Sequence, residues 1–193
     1  MLTNLKKYHI LLGSKSPRRR ELLQMMRIPF NCIAIEGIEE KYPDGMTAEN
    51  IPQYLSELKS DAYLKQLKSN ELIITADTLV ILDGKVMGKP ASSDEAVKML
   101  LDLSGKTHKV VTGVTVATHD RRTSFTTSTD VTFARITEEE ASYYVNSFNP
   151  LDKAGAYGIQ EWIGGVAVEK INGSFYNVMG LPIHRLYQEL KLF

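Results

Sequence analysis

An α/β fold with a mixed sheet is the architecture that this sequence predicts, and two features of the chain point to it. Short apolar segments typical of buried strands alternate with segments whose apolar residues recur at helical spacing. Two long β-prone runs, His108–Thr118 and Thr123–Arg135, follow one another and are joined by Asp120-Arg121-Arg122, which indicates a hairpin. Because a hairpin is antiparallel, the sheet is expected to be mixed. No repeat or linker-like segment interrupts the chain, so we expect one domain over residues 1–193.

The first predicted elements are a strand and two helices. Tyr8–Leu12 reads as a short buried strand that ends at Gly13-Ser14. Ser16 is suited to be the N-cap of a helix and Pro17 to be its first residue. A second helix is predicted from apolar residues at helical spacing, namely Ile51, Leu55, Leu58 and Ala62.

A buried strand and a hairpin are predicted next. Leu72–Ala76 is apolar and β-prone, and we expect this strand to end at Asp77. Leu79–Leu82 and Lys85–Met87 flank Asp83-Gly84, a dipeptide that suits a type I′ turn between two antiparallel strands.

Two capping boxes mark helices in the second half of the chain. Ser92-x-x-Glu95 precedes one apolar helical stripe, and Thr137-x-x-Glu140 begins a helix that is predicted to reach about Ser147. Val166–Ile171 is predicted to be a strand, and most of Ile183–Leu192 a final helix.

The composition is that of an ordinary globular protein. The 193 residues include 23 Lys and Arg against 23 Asp and Glu, which gives a formal net charge of zero. This balance disfavours a chain that coats nucleic acid or anionic membrane, because both tasks require a basic excess. Cys32 is the only cysteine, so no intramolecular disulfide can form, and we expect it to be a small buried residue. No apolar run approaches the roughly 20 residues of a membrane helix, and no secretory signal is evident, so a cytoplasmic protein is expected.

The densest local feature is the segment Gly13-Ser14-Lys15-Ser16-Pro17-Arg18-Arg19-Arg20. It places three arginines in the first turn of a predicted helix, where the helix dipole disfavours positive charge. A bound polyphosphate would compensate, because helix N-termini favour anions and guanidinium groups match phosphate oxygens. The alternative is a solvated helix start whose arginines pair with Glu21 and other surface acids.

Three further segments carry polar groups suited to the same chemistry. Asp77, in Thr75-Ala76-Asp77-Thr78, could hold a metal or take a proton from water, although it could also merely cap a turn. Gly88-Lys89-Pro90 lacks the frame of a P-loop, yet Lys89 could contact phosphate as a point charge. Asp152–Gln160 combines small residues with Gln160, whose amide offers both donors and an acceptor to a base edge, and a plain loop is the alternative.

Other enzyme classes lack their signatures in this sequence. The four histidines have no metal-binding spacing, no G-x-S-x-G elbow is present, and no G-x-G-x-x-G follows the first strand. The remaining phosphate-favouring helix start, with its acids and lysines, suits metal-assisted attack on a phosphoanhydride.

With these residues assembled, the chain resembles the Maf family of nucleoside triphosphate pyrophosphatases. The resemblance rests on an ordered set of short motifs over nearly the whole chain: Ser14-Lys15-Ser16-Pro17-Arg18-Arg19, Leu55-Ser56-x-x-Lys59, Ala76-Asp77-Thr78, Gly88-Lys89-Pro90, Leu103-Ser104-Gly105 with His108 and Thr112-Gly113-Val114, Asp152-Lys153-Ala154-Gly155-x-Tyr157-x-Ile159-Gln160, and Asn177-Val178-Met179-Gly180-Leu181-Pro182. The version of the motif that ends at Gln160 is similar to that of the branch acting on dTTP and UTP.

The resemblance implies a fold, a reaction and a set of site residues. The fold would be the Maf and inosine-triphosphatase-like one, with an elongated, twisted, mixed sheet flanked by helices. The reaction would split the α–β anhydride of dTTP or UTP into a nucleoside monophosphate and pyrophosphate. By motif position, the implied roles are Asp77 as catalytic base, Arg18, Thr78 and Gln160 in substrate choice, Ser14, Arg19, Lys59 and Lys89 on the triphosphate, and Glu40 with Asp77 at the metal. The metal would be a divalent cation, Mg²⁺ first and Mn²⁺ or Co²⁺ as alternatives, and the protein a homodimer.

Some assignments stay open at this point. Glu39 could hold the role given to Glu40, and Lys15, Ser60 and Trp162 depart from the family pattern in ways that bear on selectivity. The alternatives to a dTTP/UTP pyrophosphatase are a non-catalytic nucleotide-binding regulator of septum formation, a nucleic-acid binder, and a pyrophosphatase that prefers modified pyrimidine nucleotides. The sequence does not separate dTTP from UTP, CTP or modified pyrimidine nucleotides.

Overall fold

The computed structural model describes residues 2–34 and 37–193. The strands within these residues are β1 (His9–Gly13), β2 (Asn31–Ile33), β3 (Glu71–Leu82), β4 (Lys85–Met87), β5 (Thr107–Ala117), β6 (Arg122–Phe133) and β7 (Val168–Asn172). The α-helices are α1 (Pro17–Met25), α2 (Ile51–Leu64), α3 (Ser93–Leu103), α4 (Glu138–Phe148), α5 (Trp162–Val166), α6 (Phe175–Met179) and α7 (Ile183–Leu190). Short 3₁₀ helices cover Thr3–Lys7, Pro150–Asp152 and Ala154–Ala156.

The strands form a mixed seven-stranded sheet, as the sequence predicts. Hydrogen bonding gives the order β2-β1-β3-β5-β6-β7, with β4 paired to β3. β1 runs parallel to both β2 and β3, whereas the β3–β4 and β6–β7 pairs are antiparallel. The predicted α/β class with a mixed sheet is therefore confirmed.

The chain divides into two compact units, each built from several segments of sequence. The first unit, here called unit 1, contains residues 1–77, 112–127 and 180–193. The second, unit 2, contains residues 78–111 and 128–179. Strands β3, β5 and β6 each contribute residues to both units.

Unit 1 is organised around β1 and the helix α2. The apolar residues of β1 are buried, as expected for a strand between two parallel neighbours. α2 is fixed by buried hydrogen bonds, because Thr75 Oγ1 donates to the carbonyl of Ser56 (2.6 Å) and the hydroxyls of Ser56 and Thr115 lie 2.8 Å apart. The helix also approaches Gly113 of β5 so closely that a Cβ atom there would lie 2.2 Å from the backbone nitrogen of Gln53.

Unit 2 has a hydrophobic core of its own, to which β3, α3, β5, β6, α4 and the segment 156–167 contribute buried residues. The predicted capping box of α4 is present, since the Thr137 side chain accepts from the Glu140 N–H and the Glu140 carboxylate accepts from the Thr137 N–H. At α3 only half of the box forms, because the Glu95 carboxylate accepts from the N–H of Ala91 instead of Ser92.

Three predictions need correction. Asp77 does not end a strand, because the β-prone residues after Thr78 continue the ladder and β3 runs unbroken to Leu82. Cys32 is exposed and not buried, because it lies on the edge strand β2, which is hydrogen-bonded on one side only. The segment at Val166 ends the short helix α5, and the strand there begins at Val168, a boundary that apolar periodicity does not resolve.

Among the described ranges 2–34 and 37–193, no helix combines the length and apolar character that crossing a membrane requires.

Candidate active site

Parallel pairing in unit 1 brings Ser14 close to Asp77 at the carboxyl end of β1, where β3 continues past the last β1–β3 pair. Gly13, the last residue of β1, lies opposite Thr75 of β3 in register. Because β1 and β3 are parallel, the residue after Gly13 and the residues after Thr75 lie on the same side of this last pair. In open α/β sheets, ligands bind in the crevice at the carboxyl ends of the strands.

Arg19, in the first turn of α1, connects this helix to the backbone next to Asp77. Its Nε donates to the carbonyl of Gly180 (2.8 Å), and its Nη1 donates to the carbonyl of Ala76 (2.8 Å) and, more weakly, to Ser14 Oγ (3.5 Å). Burial lowers the pKa of the Arg19 guanidinium, while the neighbouring carboxylate of Asp77 acts in the opposite direction. Arg19 therefore fixes the backbone around Asp77 and also places a positive charge beside it.

The loop before α1 is held by short-range hydrogen bonds. Ser16 caps the helix by accepting from the N–H of Arg19, and Ser14 Oγ accepts from the N–H of Ser16 (3.2 Å). Arg18 is half-buried in the first turn, and its charge also lowers the pKa of Arg19. The predicted N-cap and the predicted N1 proline are both confirmed.

Lys59 of α2 lies between two carboxylates. Its Nζ is 2.6 Å from Asp77 Oδ1 and 3.0 Å from Glu40 Oε1, and only 14% of its side chain is exposed. The Asp77 side chain is similarly buried at 12% exposed, whereas that of Glu40 is 53% exposed. The structure thus joins three residues of the predicted site. Ser56 docks α2 on β3 through Thr75 and on β5 through Thr115, and this docking puts Lys59 within reach of Asp77.

The two neighbouring acids in this loop differ in their partners. Glu39 pairs with Lys41 at the surface, where both side chains are about three-quarters exposed. Glu40 instead contacts the ammonium group that Asp77 also contacts. The geometry therefore favours Glu40 over Glu39 as the acid that works with Asp77.

The carboxylates of Glu40 and Asp77 fit a hard divalent cation. Two carboxylates that already converge on one positive charge supply the oxygen ligands that Mg²⁺ prefers, and Mg²⁺ sites commonly use one or two carboxylates with substrate phosphates and water. Within the described part of the chain, no group of three or more His, Cys, Asp or Glu side chains could hold a metal.

In unit 2, the turn that carries Lys89 is joined to the segment that carries Gln160. The N–H of Gly155 donates to the carbonyl of Gly88 (3.0 Å). Gly155 has a φ of +67°, and a Cβ there would lie 2.9 Å from the Val80 side chain, so this close approach requires glycine. Lys89 is exposed on its turn.

Polar groups outside the set of predicted site residues hold the turn that carries Gln160. Tyr144, fully buried on α4, accepts a hydrogen bond from the N–H of Gly158 (2.9 Å) and donates to the Glu161 carboxylate. The Glu161 carboxylate also faces Lys153 Nζ (3.3 Å), which in turn contacts Asp152 (2.9 Å). Only the motif around Lys153 marks this group in the sequence, since Tyr144 and Glu161 are seventeen positions apart and carry no shared pattern.

A second buried pair lies at the start of the same segment. His108 Nε2 is 2.7 Å from the hydroxyl of Tyr157, and both rings pack edge-on against Phe133. Burial lowers the pKa of His108 to about 4 and raises the pKa of Tyr157. The pair is therefore neutral at pH 7 and serves to hold Tyr157, three residues before Gln160.

The predicted site residues thus fall into two groups. Ser14, Arg18, Arg19, Glu40, Lys59 and Asp77 belong to unit 1, and Thr78, Lys89 and Gln160 belong to unit 2. In unit 1 the structure links Arg19 to Ser14, and Lys59 to both carboxylates. Thr78, the next residue after Asp77 in β3, is half-buried.

Comparison with known proteins agrees with the motifs. Residues 9–193 match the model of a family described as Maf-like protein. A dTTP/UTP pyrophosphatase from Phocaeicola vulgatus is 54% identical over 191 residues, covering 99% of both chains, and one from Porphyromonas gingivalis is 52% identical over 195 residues, covering 100% of this chain and 98% of that one. A third, from Bacteroides thetaiotaomicron, is 51% identical over 191 residues and covers 99% of both chains.

Among solved structures, the Staphylococcus aureus Ham1 protein matches 65% of this chain and 72% of its own at 19% identity, with a TM-score of 0.48, a likeness too remote to carry an argument. The family match covers nearly the whole sequence, and the full-length relatives share about half of its residues. The chain therefore belongs to the Maf-like protein family, as its ordered motifs predict.

Proposed function

We propose that this chain is a nucleoside triphosphate pyrophosphatase that hydrolyses the α–β phosphoanhydride of dTTP and UTP. The observation that carries the proposal is the convergence of Lys59, Asp77 and Glu40. Arg19 lies beside them, where it contacts Ser14 and the carbonyl of Ala76. The full-length relatives named dTTP/UTP pyrophosphatases support the reaction and the pyrimidine substrates.

Asp77 acts as the general base in this proposal. Its carboxylate takes a proton from a water molecule, whose oxygen attacks the α-phosphorus while the bond from that phosphorus to the bridging oxygen breaks. Pyrophosphate leaves with the bonding electron pair, and the nucleoside monophosphate remains. A positioned base of this kind contributes about 10²–10⁴-fold to a rate.

The remaining residues bind and orient the nucleotide. Ser14, Arg19, Lys59 and Lys89 contact the triphosphate, where their charges and N–H groups offset the negative charge that grows on the departing pyrophosphate. Arg18, Thr78 and Gln160 select the base. Little covalent chemistry is required of the protein, since phosphoryl transfer depends mainly on positioning and charge stabilisation.

A divalent cation, Mg²⁺ or alternatively Mn²⁺ or Co²⁺, would be held by Glu40 and Asp77. When bound, such a cation supplies Lewis-acid polarisation of the phosphate oxygens. Both carboxylates contact the ammonium group of Lys59. This shared contact with one positive charge is the feature of this chain that favours the assignment.

We also propose that the protein acts as one functional domain, in the cytoplasm and as a homodimer, as the family resemblance implies. The single domain is supported by the composition of the two units. Neither unit is one continuous stretch of sequence, because segments of the two alternate along the chain. Light scattering during size-exclusion chromatography tests the dimer.

The test of the reaction is release of pyrophosphate from a panel of nucleoside triphosphates with Mg²⁺. We expect release from dTTP and UTP by the unmodified protein, and a loss of about 10²-fold or more in Asp77→Asn, which keeps the shape of the side chain but not its basicity. Asp120→Asn, in the exposed turn between β5 and β6, is the matched control and should retain activity. Nucleotide binding without turnover in the unmodified protein would favour the regulator instead, and an active Asp77→Asn would remove Asp77 from its role.

A further inference from the structure

A network of buried polar groups holds the turn that carries Gln160. The hydroxyl of Tyr144 accepts from the N–H of Gly158 and donates to the Glu161 carboxylate, while Lys153 supplies the facing positive charge. The turn is closed by the N–H of Glu161, which donates to the carbonyl of Gly158 (3.0 Å). Because Tyr144 is fully buried, this anchor is part of the core of unit 2 and not a surface contact.

The same carboxylate contacts the side chain of Gln160. Gln160 Nε2 lies 3.5 Å from Glu161 Oε1 and donates to it. Both side chains pack against Gly158. A Cβ atom at that position would lie 2.8 Å from Glu161 Cδ and 2.9 Å from Gln160 Nε2. Turning the Gln160 amide over would bring its carbonyl oxygen against a carboxylate oxygen, and two acceptors repel each other.

We propose that Glu161 is a positioning residue that fixes the orientation of the Gln160 amide, so that its carbonyl oxygen is presented as an acceptor to N3 of the substrate base. The proposal rests on the function proposed above and adds how the base is selected. Tyr144 and Lys153 act through Glu161, because they set where its carboxylate lies.

The chemistry of the pyrimidines gives the consequence. Uracil and thymine both carry an N3–H donor, whereas N3 of cytosine is an unprotonated acceptor. A fixed carbonyl oxygen accepts from the first two bases and opposes the lone pair of the third. Sites that rely on hydrogen bonds reject a ligand that leaves one of their groups unpaired. The 5-methyl group is not read by this contact, so dTTP and UTP are both accepted.

The experiment compares UTP with CTP in variants of the network, with the ratio of their kcat/KM values as the readout. In Glu161→Ala the Gln160 amide is released, and the ratio should fall about tenfold, since a well-placed base contact is worth about that much discrimination. Glu161→Gln keeps an oxygen that can accept from Gln160 Nε2, so the ratio should be largely rescued. Tyr144→Phe should lower the ratio in part, whereas Tyr143→Phe, which removes the hydroxyl of the exposed neighbouring tyrosine, should leave it unchanged.

Two further measurements separate positioning from mere structural support. The double variant Gln160→Ala with Glu161→Ala should show the same ratio as Gln160→Ala alone, because Glu161 acts only through Gln160. Dissociation constants for the α,β-methylene analogues of UTP and CTP, which cannot be cleaved at that bond, report the same preference without turnover.

The outcomes distinguish this inference from the proposed function. If the unmodified protein releases no pyrophosphate but binds the uracil analogue better in a Glu161-dependent way, the proposed reaction fails and the positioning role stands. Wild-type ratios in both Glu161→Ala and Tyr144→Phe would overturn the positioning role, as would an unmodified protein with no preference for uracil over cytosine.

Discussion

Gly113→Ala tests how α2 places Lys59 beside Asp77. Gly113 lies in β5, and a Cβ atom at this position would be 2.2 Å from the backbone nitrogen of Gln53 and 2.3 Å from the carbonyl carbon of Pro52. Ordinary contacts of a Cβ begin at 3.4 Å. The atoms it meets are backbone atoms at the start of α2, so no side chain can rotate away. The first turn of α2 must therefore retreat from the sheet by about 1.2 Å.

The retreat affects both stability and activity. Overpacking of this kind costs about 1–3 kcal/mol in the free energy of unfolding. α2 also carries Lys59, whose Nζ is 2.6 Å from Asp77, and misplacement of a site group by about 1 Å can cost 10²-fold in rate. We expect the variant to unfold at a lower urea concentration and to release pyrophosphate from UTP about 10²-fold more slowly, under conditions where the protein is still folded.

Gly165→Ala is the matched control. A Cβ at Gly165, in α5, would meet nothing within 4 Å, and alanine is a better helix former than glycine, so stability should be unchanged or slightly higher. If Gly113→Ala were as stable as the unmodified protein, the close approach of α2 to β5 would be wrong. If the variant were destabilised but fully active when folded, the close contact of α2 with β5 would not be what keeps Lys59 in its active position.

The remaining predictions concern protons and metal. Burial lowers the pKa of His108 to about 4, so the folded state binds fewer protons than the unfolded chain between pH 4 and 6.5, and about 3 kcal/mol of stability that is present above pH 6.5 should be lost as the pH falls towards 4. Urea unfolding should show this decline, and His108→Gln should flatten it whereas His184→Gln, at an exposed position, should not; an unchanged slope in His108→Gln would contradict the assignment. Because only Glu40 and Asp77 are proposed as protein ligands, Mg²⁺ should bind weakly to the protein alone and at least about tenfold more tightly with the α,β-methylene analogue of UTP present. Calorimetric titrations with and without the analogue measure this coupling, and equal affinities would show that the protein supplies a complete site by itself.

Local sequence signals predicted the elements that such signals determine. The cap at Ser16, the N1 proline at position 17 and the capping box at Thr137 all specify helix starts through contacts within four residues, and all are present. The Asp83-Gly84 turn likewise joins β3 to β4, with both residues at positive φ. Boundaries failed where tertiary pairing decides, as at Asp77, where the ladder with neighbouring strands carries β3 through a polar residue.

The sequence proposes residues for the candidate site, but it does not predict the contacts between them. The ordered motifs contain Lys59 and Asp77, and the resemblance implies Glu40, yet no spacing in the sequence indicates that one ammonium group contacts both carboxylates. The same holds for Tyr144 and Glu161, which meet only because α4 packs in the core of unit 2. Such contacts depend on how elements pack, and a polar residue that meets its partner through packing has no periodic signature.

In this chain of zero formal net charge, opposite charges lie close together at two places, one in each unit. Lys59 lies between Glu40 and Asp77, and Lys153 lies between Asp152 and Glu161, with at most 14% of either lysine side chain exposed. An ammonium group taken from water at this depth is costly unless carboxylates offset the loss of hydration. Under the proposed function, an arriving triphosphate offers Lys59 oxygens that compete with the carboxylate of Asp77. Substrate binding would then weaken the ion pair of the proposed base and leave its oxygen available to accept a proton from water. The ion pair of Lys59 with Asp77 would thus link nucleotide binding to the release of the base.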